Sequence, residues 1–214
     1  MSTSDLRSRK RLATRQGISD AATRLFLERG FDHVTVDEIA AAADVGRMTV
    51  FNHFPRKEDM FFDRDEEGRE ALRAALRQRD PAVTPIETLR LLAHRLIAER
   101  SPYLEFSARS QGFIETIESS ATLLARARAI RDEIARVVTT ALAECVACEP
   151  ADPQAQLAAG MLLATWTVAF NQAHQTFRQT RDSEASNAVF LAMVDQGSIG
   201  VAAAMAGTPY ASRG

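Results

Sequence analysis

The sequence predicts an all-α protein, and three observations predict it. Ala, Arg, Leu and Glu dominate the 214 residues while Gly (10), Tyr (2) and Trp (1) are scarce, a composition that favours helices. Alternating clusters of Val, Ile and Thr, which would mark strands, are almost absent. Apolar residues instead recur at three- and four-residue spacing between recognisable helix starts and stops. With 46% hydrophobic and 25% charged residues the chain can bury a real core, which excludes wholesale disorder.

The first helix is expected from about Arg11 to Arg29, where Ile18, Ala21, Ala22, Leu25 and Phe26 share one face. Gly30 suits the left-handed turn that ends it, and Phe31 plugs the turn. Thr35, three residues before Glu38, reads as a capping box opening a short helix that buries Val36, Ile39 and Ala40. A tight turn, Ala43-Asp44-Val45-Gly46, leads to a third short helix ending at His53-Phe54, where Pro55 stops it. A long charged connector helix is expected from about Arg56 to Arg79, with Asp65–Arg69 and Glu66 and Glu70 with Arg73 in pairing range. Gly68 is its candidate point of compliance. Five helices follow after Pro, Ser or Asp starts: Ile86 to Arg100, Pro102 to Glu118, Ala121 to about Val146, Pro153 to Gln179 and Ser183 to Ala206. The division is therefore a three-helix domain over residues 1–55 and a connector plus helical domain over 56–214.

Charge is unevenly placed. The chain has a net charge of −2, yet its first fifteen residues hold Arg7, Arg9, Lys10, Arg11 and Arg15 against Asp5 alone. Such an arm is either a solvated terminus or the electrostatic end of a nucleic-acid binder. Three short helices with tight turns behind it favour the second. The middle helix of such a unit braces the DNA backbone, and the third lies in the major groove, which is wide enough for one helix. Val45, Val50 and Phe54 give the third helix an inner face; Arg47, Met48, Thr49, Asn52 and His53 remain for the outer.

Gly30-Phe31, Thr35-Val36-Asp37-Glu38-Ile39-Ala40, Val45, Thr49-Val50-Phe51, His53-Phe54 and Lys57-Glu58 resemble the tetracycline-repressor (TetR/AcrR) family over roughly residues 11 to 61. The resemblance implies an N-terminal helix-turn-helix domain joined by a long helix to a C-terminal ligand-binding and dimerisation domain. It implies phosphate contacts by Thr35, Thr49, His53 and Lys57, and base-edge contacts by Arg47, Met48 and Asn52. Arg47 could hold guanine in bidentate fashion, worth about 1–3 kcal/mol of discrimination. The sequence departs from the family pattern in three places: Asp44 stands where Gly is usual, Gly46 where Ser or Thr caps, and Phe51 where Tyr is usual. Asp tolerates the left-handed turn and Gly is an adequate cap, but Phe51 lacks the hydroxyl for one phosphate bond.

Leu157 to Phe170 is apolar almost all round, and so is the last helix with Phe190, Leu191, Met193, Val194 and Ile199 to Met205. Either both are internal core or they pair with a second copy; the resemblance implies a four-helix interface in a homodimer reading a near-palindromic operator in double-stranded DNA. It also implies a small-molecule effector site. Tyr103, Phe106, Arg109, Phe113, Trp166, Phe170, Asn171, His174 and Phe177 offer the aromatic and polar mixture, though the stripe from Trp166 to Phe177 equally suits core.

Cys145 and Cys148 are spaced like a redox or metal pair, but both sit towards a helix C-terminus beside Glu144 and Glu149, where thiolate is disfavoured. No Cys/His cluster completes a metal site, and no nucleophile elbow, phosphate-cradling glycine loop or HExxH motif points to catalysis. No cofactor is implied. No signal-type apolar segment leads the sequence, and Leu157–Phe170 is shorter than the roughly 20 residues of a membrane span, so a cytoplasmic, membrane-free protein is expected. The leading expectation is a ligand-responsive DNA-binding transcriptional regulator, a repressor rather than an activator, and not an enzyme. The alternatives are a thiol sensor using Cys145 and Cys148, and an all-α small-molecule-binding protein or enzyme.

Overall fold

A computed structural model describes residues 3–102 and 104–212. Among them lie ten α-helices and no strand: α1 (Thr3–Arg29), α2 (Val36–Ala42), α3 (Arg47–His53), α4 (Glu58–Phe61), α5 (Asp65–Arg77), α6 (Pro85–Ala98), α7 (Ala108–Glu118), α8 (Ala121–Cys145), α9 (Pro153–Thr180) and α10 (Ser183–Ala204). They form two compact units, Met1–Asp65 with Gly112–Arg128, and Glu66–Gln111 with Ala129–Gly214. The first unit thus runs past the expected break at residue 55 and takes in a distant stretch of chain. The residues of α7 and α8 are divided between the units.

The core of the first unit shows why. Phe26, fully buried, meets Phe31 with ring centres 4.9 Å apart and Phe61 at 5.9 Å. Phe61 stacks on Phe113 at 4.2 Å with planes 4° apart, while Phe62 meets Phe113 edge-on at 6.0 Å. Leu123 is also fully buried in this cluster. Neighbouring residues on a helix point about 100° apart, so a continuous helix could not turn Phe61 and Phe62 onto one ring. The connector expected over residues 56–79 is accordingly broken after Phe61, and only α5 continues it. Asp65 pairs with Arg126, and Gly68 lies inside regular helix.

In the second unit α9 and α10 pack along their length and α6 packs on α10. Leu76, Ile86, Leu89, Leu142, Leu162, Val201 and Tyr210 form the core. Its helix starts are capped: the Thr84 hydroxyl accepts from Glu87 N at 3.2 Å, and the Asp152 and Asp182 carboxylates accept from the first amides of α9 and α10. Asp152 also accepts from the buried Tyr210 hydroxyl. Gly197 lets α10 approach α9, because a Cβ there would stand 2.9 Å from Thr165 Cβ. Arg90 of α6 bonds Asp195 of α10 at 2.7 Å and His94 reaches the same carboxylate at 2.7 Å. The helix expected from Pro102 starts only at Ala108. Ser107 and Ser110 exchange amide-to-hydroxyl bonds at 2.9 and 3.2 Å there, giving the chain a stronger cap than Pro102 offers.

Candidate nucleic-acid interface

The second and third helices are set by their turns. The capping box is complete: Glu38 N donates to the Thr35 hydroxyl at 3.3 Å, and Thr35 N donates to the Glu38 carboxylate at 2.8 Å. The Thr35 amide and hydroxyl, both donating to it, and the Arg29 guanidinium hold the Glu38 carboxyl down at about 2. Asp44 takes the left-handed conformation (φ 53°) and Val45 N donates to Ala40 O at 3.0 Å, which closes the turn. Helix α3 then starts on Gly46 with no side-chain cap. Val50 and Phe54 are buried, at 0% and 1% exposure, and so anchor one face of α3.

The opposite face is open. Met48 is 70% exposed, Arg47 and Asn52 are exposed, and Thr49, Phe51 and His53 are half-buried. Arg47 bonds Asp37 at 2.7 Å and lies 5.5 Å over the Phe51 ring. Both partners of that pair face solvent, so releasing Arg47 to a base costs no more than about 1 kcal/mol. Burial, followed by Arg11 and Arg15, pushes the His53 imidazole below its ordinary value.

Two of the expected phosphate contacts already have work inside the fold. The Thr35 hydroxyl, besides accepting from Glu38 N, donates to the Glu38 carboxylate at 2.8 Å. Lys57 donates to the Phe31 carbonyl and lies 4.1 Å over the Phe31 ring, and burial lowers its pKa. Its first role is to fasten the Gly30–Phe31 turn. Sequence reasoning missed Arg15, treating it as one charge of a basic arm. Its guanidinium donates to His53 O at 2.7 Å and covers the Phe54 ring at 4.0 Å, tying α1 to the C-terminal end of α3. A cation at a helix C-terminus beside an aromatic residue is the signal that could have found it.

The expected ligand residues divide. Phe106, Trp166, Phe170, His174 and Phe177 come together in the second unit around Phe190. Phe113 does not join them, because it is committed to the stack on Phe61 in the first unit. Arg109 and Asn171 are exposed, and Tyr103 lies outside the described residues. A cleft of about 450 Å³ in the second unit is lined by Glu66, Arg69, Arg73, Glu133, Arg136 and Glu144 with three smaller side chains, and by none of these candidates. Arg69 and Arg73 are spent there on ion pairs with Glu66 and Glu133.

Cys145 and Cys148 are free and half-buried. The Cys145 thiol donates to Leu142 O at 3.1 Å, and burial pushes its pKa up, away from the reactive thiolate. Among the described residues no three His, Cys, Asp or Glu side chains group to hold a metal ion.

Residues 18–63 match the family model described as bacterial regulatory proteins, tetR family. TcmR, an HTH-type transcriptional regulator of Streptomyces glaucescens, is 37% identical over 84 residues, 39% of this chain and 37% of TcmR. The chain thus matches little more than a third of that relative's length. Similar solved structures include NalD of Pseudomonas aeruginosa, the secondary repressor of the MexAB-OprM multidrug efflux pump, with TM-score 0.59 and 20% identity over 88% of this chain and 96% of NalD. FadR of Bacillus subtilis in complex with stearoyl-CoA has TM-score 0.56 and 18% identity over 86% and 98%. At these identities the likeness is one of fold.

Proposed function

We propose that this chain, a member of the tetR family of bacterial regulatory proteins by its residues 18–63, is a cytoplasmic transcriptional repressor that leaves its operator when a small molecule binds the second unit. The observation that carries the proposal is the two-sided α3. Val50 and Phe54 fix one face while Arg47, Met48 and Asn52 are exposed on the other. An unstrained exposed Met among polar groups suits contact with base edges and thymine methyls. The names of the relatives support it: NalD is a repressor and FadR was solved with an acyl-CoA.

The protein acts as a homodimer. Leu157, Val168 and Ile199 on α9 and α10 are 55%, 49% and 70% exposed, an apolar surface that a second copy covers. By length and composition α10 could cross a membrane, with 22% of its apolar window buried. The Asp195 pairs with Arg90 and His94 favour a bundle helix instead. Two copies present two α3 helices to successive major grooves of a near-palindromic site. The effector releases DNA only by binding one arrangement better than the other. The change passes along α7 and α8, whose residues belong to both units.

The test is a mobility-shift titration with DNA flanking the protein's own coding region. The native protein is expected to bind one segment with a specificity ratio of at least about a thousand over random duplex. Binding of all duplexes alike would refute the proposal.

A further inference from the structure

His174 is 3% exposed, and neither of its ring nitrogens has a hydrogen-bond partner. Buried polar groups are nearly always satisfied, so an imidazole with an idle donor and an idle acceptor asks for an explanation. Its surroundings give none from within. Phe170 meets the ring edge-on at 4.4 Å and Phe106 at 5.0 Å. Phe106 in turn contacts Phe190 at 5.8 Å, which Trp166 meets at 90° and 5.9 Å. Ala169, Ala173, Leu104 and Val194 complete the wall. Burial holds the imidazole neutral, down at about 4, so it offers one N–H and one lone pair and no charge. Trp166 and Phe170 are only half-buried, so the cluster is open at that margin.

We propose that His174 is the polar anchor of a ligand site inside this aromatic cluster, and that its ligand is an uncharged aromatic alcohol of the phenol class. A phenolic hydroxyl can donate to one imidazole nitrogen or accept from the other, while its ring packs edge-to-face among the Phe side chains. It enters where Trp166 and Phe170 give way. A carboxylate is disfavoured, because it would lose its own hydration to meet an imidazole that burial and the nearby Arg178 keep neutral. A purely apolar ring would leave the imidazole as unsatisfied as before. That this ligand is the effector rests on the function proposed above; its binding does not.

Trp166, the chain's one tryptophan, is a built-in reporter. The experiment titrates the full chain with 4-propylphenol, 4-propylbenzoate and propylbenzene, following Trp166 emission and binding heat, and repeats the series on His174→Phe. The phenol is expected to shift Trp166 emission and to bind about tenfold more tightly than propylbenzene, the worth of one good buried hydrogen bond. The benzoate is expected not to bind. In H174F the phenol should fall to the hydrocarbon's affinity. Equal phenol affinity in both proteins, or tightest binding of the benzoate, overturns the proposal. The mobility shift of DNA with the native protein and no added phenol is read separately, so failure of the regulator assignment and failure of this site are told apart.

Discussion

The two units solve opposite problems with similar residues. In the first, aromatic side chains are structural and the polar groups beside them are bonded within the fold: Lys57 to the Phe31 carbonyl, Arg15 to the His53 carbonyl, Thr35 to Glu38. In the second, the Phe106–Phe170–Phe190 cluster encloses an imidazole with no partner at all. A surface that must fit a rigid duplex is built on a braced scaffold. A site that must respond to a ligand keeps an unsatisfied group for that ligand to meet. The difference teaches where rigidity and responsiveness lie.

The comparison breaks most visibly at Phe54. Removing its ring in Phe54→Ala empties the space under the Arg15 guanidinium and should cost about 3–5 kcal/mol, read by chemical denaturation. A loss below 1 kcal/mol would mean that α3 is not braced. Gly197→Ala in the second unit should cost about 1–3 kcal/mol, because Thr165 must move, and Thr165→Ala should recover part of it.

Acid sharpens the contrast. An imidazole titrates near 6.5 when unfolded and His174 near 4 when folded, so the unfolded chain takes up the proton first. Stability from this group is full above about pH 6.5 and falls as the pH drops towards 4, by about 1–3 kcal/mol. In H174F that stretch of the profile should flatten. The first unit responds lower: Glu38, held at about 2, contributes stability above its ordinary 4.5 that fades as the pH falls towards 2. Thr35→Ala should cost about 1 kcal/mol and return the Glu38 titration towards its ordinary value, visible by NMR.

The smallest effect on stability belongs to the reading face. Arg47→Ala should change folding by no more than about 0.5 kcal/mol, since its ion pair with Asp37 is exposed. Lys57→Ala should both destabilise the Gly30–Phe31 turn and weaken DNA binding, and these cannot be separated at that position.

Legibility followed the same divide. The capping box, the Asp44 turn and the inner face Val50–Phe54 were readable because local rules decide them: a cap needs Thr and Glu three apart, a left-handed turn tolerates Asp, and a short helix with two buried positions has one possible face. The start of α1 at Thr3 rather than Arg11 was not readable, for polar residues at a helix end carry no periodic signal. Nor was the break after Phe61, which depends on Phe113, fifty-two positions further along the chain. Phe113 shows the general reason. Its composition suits a ligand pocket as well as a core, and only tertiary packing chooses between them. His174 was legible as a candidate within an aromatic stripe, but that both its nitrogens are idle could be learned only from the fold.

The most direct test of the regulator assignment is a selection of bound duplexes from a randomised pool, performed with the native protein and with Arg47→Ala. The account predicts a two-fold symmetric sequence for the native chain, and for R47A a loss of discrimination of about five- to a hundred-fold at one guanine in each half, with other positions retained. An unchanged sequence preference in R47A would contradict it.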